Sequence, residues 1–253
     1  MAHATPRRPP PPLLDADCAL FLDVDGTLLE FAARPELVSL PEGALEVIGR
    51  LSDRLGGALA LVSGRPLQQL DALFAPLQLP AAGLHGQEFR GLESPDGLPS
   101  GSALGTLRHA ARLLAERHPG LVVEDKGANL ALHWRQAPAA EQPLRDLAHA
   151  HIGHLPDYRL QPGDHVLELV PADVHKGRAV TALLAQPPFA DRRPVFVGDD
   201  LTDEFGFAAV NQAGGWSVLV GAREPSQAGF GLADPGAVHR WLHANAFPQQ
   251  EYP

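Results

Sequence analysis

Two aspartates with a single valine between them, Asp23-Val24-Asp25, close the apolar run Ala19–Leu22 and meet Gly26 and Thr27 at once. Residues two apart on an extended backbone point the same way, and carboxylates beside an apolar strand need a compensating charge or proton. A second acidic group, Asp199, Asp200 and Asp203 in the stretch GDDLTDE, closes another apolar run. If both runs are strands of one sheet, five carboxylates gather at one edge. Two like charges about 4 Å apart repel by about 4 kcal/mol at an effective dielectric of about 20. A hard divalent cation relieves that repulsion, and oxygen donors without a nearby His or Cys favour magnesium over zinc. Magnesium commonly takes one or two carboxylates, waters and a substrate phosphate, so a phosphorylated substrate is expected. One aspartate can attack phosphorus, and its neighbour can protonate the departing oxygen and later take a proton from water. Ser63, in Ser63-Gly64-Arg65 after a third apolar run, can hydrogen-bond a phosphoryl oxygen. Lys176, ahead of Gly177 at a helix start, can supply positive charge. Glycine at 26 and 64 lets backbone amides approach an anion. Each signal alone is modest. Asp-Val-Asp-Gly also suggests a calcium loop, but the later glutamate of that loop is missing and a buried strand precedes it.

The elements that must position these residues alternate. The run CALFLDV reads as a buried strand, PEGALEVIGRLSDRLG as a helix opened by proline and closed by glycine, and GALALVSGR as a second strand. PLQQLDALFAPL reads as a helix and PAAGLHG as a short strand. Later, HKGRAVTALLAQ is helical, RPVFVGDD a strand, LTDEFGFAAVNQ a helix and WSVLVG a strand. Such alternation predicts an α/β fold, a doubly wound parallel sheet with helices on both faces. Ligands bind at the carboxyl ends of strands in such sheets, where Asp23 and Asp25, Ser63-Gly64-Arg65, and Asp199 and Asp200 fall.

Between His85 and Lys176 the chain is too long for a loop and has its own rhythm of helices and antiparallel strands. The expected division is a disordered proline-rich tail at 1–14, a core of 15–88 and 172–253, and an inserted α/β cap at 89–171. The cap reads as a mobile lid over the strand ends; a structural outgrowth is the plainer alternative. The formal net charge of −10 over 253 residues leaves no basic stripe for nucleic acid and disfavours an anionic membrane surface. No apolar run approaches the ~20 residues of a membrane helix, and the amino terminus lacks a signal-peptide core. A cytoplasmic, monomeric protein acting on a small molecule is the expectation. Cys18, the one cysteine, reads as a buried inert thiol.

The motifs DVDGTL, SGR, KG and GDDLTDE resemble the four motifs of the haloacid dehalogenase superfamily of aspartate-nucleophile phosphatases, over nearly the whole chain after the tail. Within it, GLHGQE, VEDKGANLALHWR and ELVPADVHKG are similar to the trehalose-6-phosphate phosphatases. The resemblance implies an HAD-like core with Asp23 as nucleophile and magnesium ligand. It makes Asp25 the general acid/base with its carbonyl on the metal, and Asp199 the third ligand. Asp200 and Asp203 would support the ion and its waters. Thr27, Ser63 and Lys176 would hold the phosphoryl group, and Arg65, His85, Gly86 and Glu88 would line the passage between core and cap. Lys126, Asn129, His133, Arg135 and Glu168 would face the sugar. The implied reaction takes trehalose 6-phosphate to trehalose and phosphate through an aspartyl-phosphate.

Three departures stand out: Val170 where the family often has a basic residue, Leu84 where asparagine often precedes His-Gly, and Phe205-Gly206-Phe207 after Glu204. His133 and Arg135 flank Trp134, so strand alternation would put both on one side, facing sugar or solvent. His149, His151 and His154 share no clean helical face and read as solvated. Two rivals remain: a phosphatase of sucrose phosphate, mannosylglycerate phosphate or another sugar phosphate, and a receiver-type phospho-aspartate signalling module. A receiver needs roughly half this length and has no use for the insert.

Overall fold

The computed structural model describes residues 8–30, 39–91, 101–163 and 165–248. It divides into two units, cut at residues 94/95 and 174/175.

The first unit is built on a seven-stranded sheet ordered β11-β10-β9-β1-β2-β3-β4. The central strand β1 (Cys18–Leu22) is wholly buried, as the apolar run requires when a strand is covered on both faces. It pairs in parallel with β2 (Leu59–Val62) on one side and β9 (Arg193–Gly198) on the other. β10 (Trp216–Val220) and β11 (Phe230–Leu232) extend the β9 side in parallel. On the other side β3 (Ala81–Gly83) is parallel to β2, and β4 (Glu88–Arg90) returns antiparallel to it. The sheet is thus parallel except at one edge. Because β4 closes the core sheet before the chain leaves it, the inserted unit begins after the expected residue 89.

Helix α1 (Ala44–Arg54) joins β1 to β2, and α2 (Leu67–Phe74) joins β2 to β3. Helices α5 (Lys176–Leu184) and α6 (Asp203–Gln212) precede and follow β9, and α7 (Pro235–Ala246) follows β11. Helix α1 packs on α7 and α5 packs on α6. Right-handed crossovers running in opposite directions from β1 put these pairs on opposite faces of the sheet. The order reverses at β1, so the loops after β1, β2 and β9 leave a topological switch point together.

Residues 8–14, expected to be a disordered tail, are packed on the core. Arg8 pairs with the Glu224 carboxylate, the Pro9 carbonyl accepts from the Gly231 amide, and the Pro12 carbonyl accepts from Trp241 Nε1. Leu14 is buried, with its amide on Asn245 Oδ1. Proline offers carbonyls without an amide of its own to satisfy, so a proline-rich strand can be pinned by donors from one side. Residues 1–7 lie outside the described residues.

The second unit carries a four-stranded antiparallel sheet ordered β5-β6-β8-β7. Its strands are β5 (Val122–Asp125), β6 (Leu130–His133), β7 (Tyr158–Gly163) and β8 (Val166–Pro171). Helices α3 (Gly105–Arg117) and α4 (Glu141–Ile152) bury Leu107, Ala111, Leu144 and Ala148 in a core shared with Leu130, Leu132, Trp134, Leu167 and Leu169. Strand β6 ends at His133, so Arg135 lies in an exposed turn and the alternation expected to pair it with His133 does not reach it.

Candidate active site

The site is built where β1, β2 and β9 end. Asp23 directly follows β1 and is 3% exposed, while Lys176, the first residue of α5, is 2% exposed. The lysine Nζ donates to Asp23 Oδ1 at 2.7 Å and to Asp203 Oδ1 at 2.6 Å. His175 sets the start of that helix: its backbone is extended and its Nδ1 accepts from the Arg178 amide, so the helix opens with Lys176 aimed inward. Asp203, in the first turn of α6, uses its other oxygen to accept the Asp199 and Asp200 amides at 2.9 and 3.0 Å. Both Asp203 oxygens are therefore engaged by the protein.

Thr27 Oγ1 stands 3.3 Å from both Asp23 Oδ2 and Asp199 Oδ1. Gly26 makes that approach possible. Its φ is 80°, and a Cβ there would overlap the Asp199 carboxylate. Asp23, Asp199 and Asp203 each offer an oxygen within 4.8 Å of one another.

The charges confirm the crowding. Burial pushes the Asp23 carboxyl up to about 7, with Asp200 and Asp199 adding to the rise against the pull of Lys176. Burial, with Asp203 and Asp200 beside it, pushes Asp199 up to about 7 as well. Asp203 is raised well above the carboxylate range by burial and by Asp23. Burial alone would lower Lys176, but Asp203 and Asp23 hold it above the ordinary lysine range. Among the described residues four acids, Asp23, Asp199, Asp200 and Asp203, surround one ammonium, and the excess negative charge pushes three of them, Asp23, Asp199 and Asp203, toward their protonated forms. The donors are all oxygens, and one oxygen each of Asp23, Asp199 and Asp203 can converge on a common point. A hard dication fits this set.

Asp25 is held apart from the cluster. Its carboxylate receives Arg65 Nε at 2.7 Å and Nη2 at 2.5 Å, a two-pronged pairing. Ser63, buried after β2, accepts the Arg65 amide on Oγ at 3.1 Å. His85 lies against Gly64, where an added Cβ would come within 2.9 Å of the imidazole. Leu84 and His85 both adopt positive φ, 48° and 59°. Asparagine tolerates that conformation better than leucine, so the departure at Leu84 acts on the backbone.

Two expected liners of the passage have structural work. Gly86, at φ 105°, lets its turn press against Ala179 of α5. Glu88 Oε2 accepts the Leu67 amide at 2.8 Å, capping the start of α2.

In the second unit, Lys126 Nζ sits 3.2 Å from Glu168 Oε1 and 3.5 Å from Glu124 Oε2. Glu168 is opposite Ala131 on β6 and Gln161 on β7. His133 Nε2 is 3.0 Å from Glu124 Oε2. Asn129 is 2% exposed, and its Oδ1 finds no hydrogen bond among the described residues. The residues that sequence reasoning missed are Arg223 and Glu204. Arg223 donates to the carbonyls of Asp199 and Asp200, and Glu204 receives Arg223 Nη2 at 2.5 Å. Only the acidic stretch from Asp199 to Glu204, interrupted by Leu201 and Thr202, hinted at them.

The described residues contain no helix long and apolar enough to cross a membrane. The family model described as trehalose-phosphatase matches residues 21–235. The chain is 44% identical over 218 residues to a probable trehalose-phosphate phosphatase of Sinorhizobium fredii, covering 84% of this chain and 81% of that protein. It is 42% identical over 234 residues to the trehalose-6-phosphate phosphatase of Escherichia coli, covering 91% and 87%. Among solved structures, the C-terminal domain of Candida albicans trehalose-6-phosphate phosphatase superposes with a TM-score of 0.75 at 22% identity, covering 92% of this chain and 93% of that one. A haloacid dehalogenase-like hydrolase of Bacteroides thetaiotaomicron gives 0.66 at 17% identity, covering 88% and 97%. The fold is thus the haloacid dehalogenase-like one, and the chain belongs to the trehalose-phosphatase family.

Proposed function

We propose that this protein hydrolyses trehalose 6-phosphate to trehalose and inorganic phosphate. The observation that carries the reading is the meeting of Asp23, Lys176, Thr27 and Asp199 at the switch point of the sheet, in a chain matched by its family over residues 21–235.

Asp23 attacks phosphorus through a carboxylate oxygen as the bond to the sugar 6-oxygen breaks, leaving an aspartyl-phosphate. Lys176 holds the Asp23 carboxylate charged and oriented, and its ammonium faces the charge spreading over the phosphoryl oxygens. Ser63 and Thr27 offer hydroxyls to those oxygens. Asp25 delivers a proton to the departing sugar oxygen. It then takes one from the water that attacks phosphorus, releasing phosphate and restoring Asp23. The Arg65 fork keeps the Asp25 carboxylate in one orientation.

Asp23, Asp199 and the Asp25 carbonyl would hold a magnesium ion, with Asp200 and Asp203 behind them. Bound there, the ion neutralises the repulsion between carboxylate and phosphate dianion. Lys126, just past the end of β5, and Glu168 of β8 are a paired cation and anion, and they are the groups we assign to the sugar hydroxyls together with Asn129 and His133.

The experiment is phosphate release from a panel of sugar phosphates including trehalose 6-phosphate, sucrose phosphate and mannosylglycerate phosphate. We expect trehalose 6-phosphate to be turned over fastest and Asp23→Asn to be inactive. Another sugar phosphate leading the panel would replace the substrate, and turnover by Asp23→Asn near the wild-type rate would remove the covalent step.

A further inference from the structure

A single peptide group joins Asp199 to Asp200, and both of its poles are held. Its N–H, on Asp200, donates to Asp203 Oδ2 at 3.0 Å. Its carbonyl, on Asp199, accepts from Arg223 Nε at 3.2 Å. In a trans peptide the carbonyl and the N–H point opposite ways, so an acceptor on one side and a donor on the other lock the plane. Arg223 Nη2 also reaches the Asp200 carbonyl at 3.0 Å and Glu204 Oε1 at 2.5 Å, while Nη1 takes the Pro225 carbonyl at 2.8 Å. The guanidinium cannot rotate without losing several of these bonds together.

The loop that carries Arg223 is itself gripped. Arg8 Nε donates to the Ala228 carbonyl at 2.7 Å, Nη2 to the Ser226 carbonyl at 3.1 Å, and the fork meets the Glu224 carboxylate at 3.0 and 3.1 Å. The proline-rich strap thus holds the loop after β10, and that loop holds the loop after β9.

We propose that Arg223 is a positioning residue for the cation site, and that the amino-terminal strap acts on the same site through it. The proposal rests on the reading of Asp199 as a cation ligand. Turning the 199–200 peptide would swing a carbonyl oxygen toward Asp203 and add negative potential to a cluster already overfull of it. Arg223 prevents this from outside the cluster: its charge is bound to backbone oxygens and Glu204, and it takes the Asp199 carbonyl rather than the carboxylate.

The test is direct cation binding, by calorimetry with magnesium and by paramagnetic resonance with manganese, on the metal-free full chain. Wild type should bind one ion and Asp199→Asn should lose it. Removing partners behind metal ligands commonly weakens affinity about 10- to 100-fold, and Arg223→Met should fall in that range. Arg223→Lys, which keeps the charge without the fork, should lie between, and Arg8→Ala should weaken binding less than Arg223→Met. In turnover the activating magnesium concentration should rise while KM for the sugar phosphate stays within about twofold, a split that a general loss of folding would not give. Equal affinity in Arg223→Met and wild type overturns the proposal. If Arg223→Met fails to fold, Arg223→Lys decides in the same way. A wild type that takes up no ion sinks the reading of the acids as a cation site, and this proposal with it.

Discussion

Replacing Lys176 with methionine removes the cation that bridges Asp23 and Asp203 while keeping an unbranched side chain. At 2.7 and 2.6 Å each contact is a gross attraction of about 6 kcal/mol at an effective dielectric of about 20. Desolvation of the buried lysine offsets much of that, and removing one partner of a buried pair costs about 3–5 kcal/mol net. The freed carboxyls can escape by taking protons. That escape is easy in acid and grows harder by about 1.4 kcal/mol per proton for each pH unit above the carboxyl's pKa. Carboxyls raised in the folded state bind protons more tightly there than in the unfolded chain. The stability they confer is complete below about 4 and lost as pH rises through their folded pKa. Lysine removal moves that pKa further up, beyond the value of about 7 at Asp23. Lys176→Met should therefore cost about 3–5 kcal/mol at pH 8 and about 2 kcal/mol or less at pH 5.5. Urea unfolding in a chelator, followed by tryptophan fluorescence at both pH values, measures it. A loss below about 1 kcal/mol at pH 8, or one independent of pH, would refute the electrostatic account.

Asp23 and Asp199 both stand near 7 without a counter-ion, so protons and magnesium compete for them. The rise in Tm on adding magnesium should be larger at pH 8 than at pH 5.5, and equal rises would contradict the competition. Gly26→Ala would place a methyl in the Asp199 carboxylate at a φ of 80°, whereas Gly214→Ala meets only open space at φ 76°. Both should lose about 1–3 kcal/mol from the backbone, seen in urea titrations, but only Gly26→Ala should weaken magnesium binding in calorimetry. Lys126→Ala and Glu168→Ala should slow turnover of trehalose 6-phosphate far more than that of a small aryl phosphate. Equal losses on both substrates would deny those residues a role in reading the sugar.

The amino-acid order alone determined the strands that end in acids. A short apolar run closed by Asp23, Ser63 or Asp199 records a buried strand reaching the sheet's edge, and burial leaves a local pattern. The chemistry expected of those residues followed, because charge and donor type are properties of single side chains. Other elements were illegible. β4 and β11 are three residues each, too short for a period to register, and the equally short β3 was legible only from the run PAAGLHG with its glycine turn. The strap at 8–14 has a composition that reads as disordered, but its carbonyls are held by Trp241 and the Gly231 amide, over 200 residues away. Only the tertiary structure decided which acids are free for an ion and which are engaged. Asp203 is saturated by Lys176 and two amides, Asp25 by Arg65, and Glu88 by the start of α2. The grip of Arg223 on the Asp199 and Asp200 carbonyls was equally invisible. A hydrogen bond to a backbone oxygen asks nothing of the accepting residue's identity, so it leaves no trace in the residue it holds.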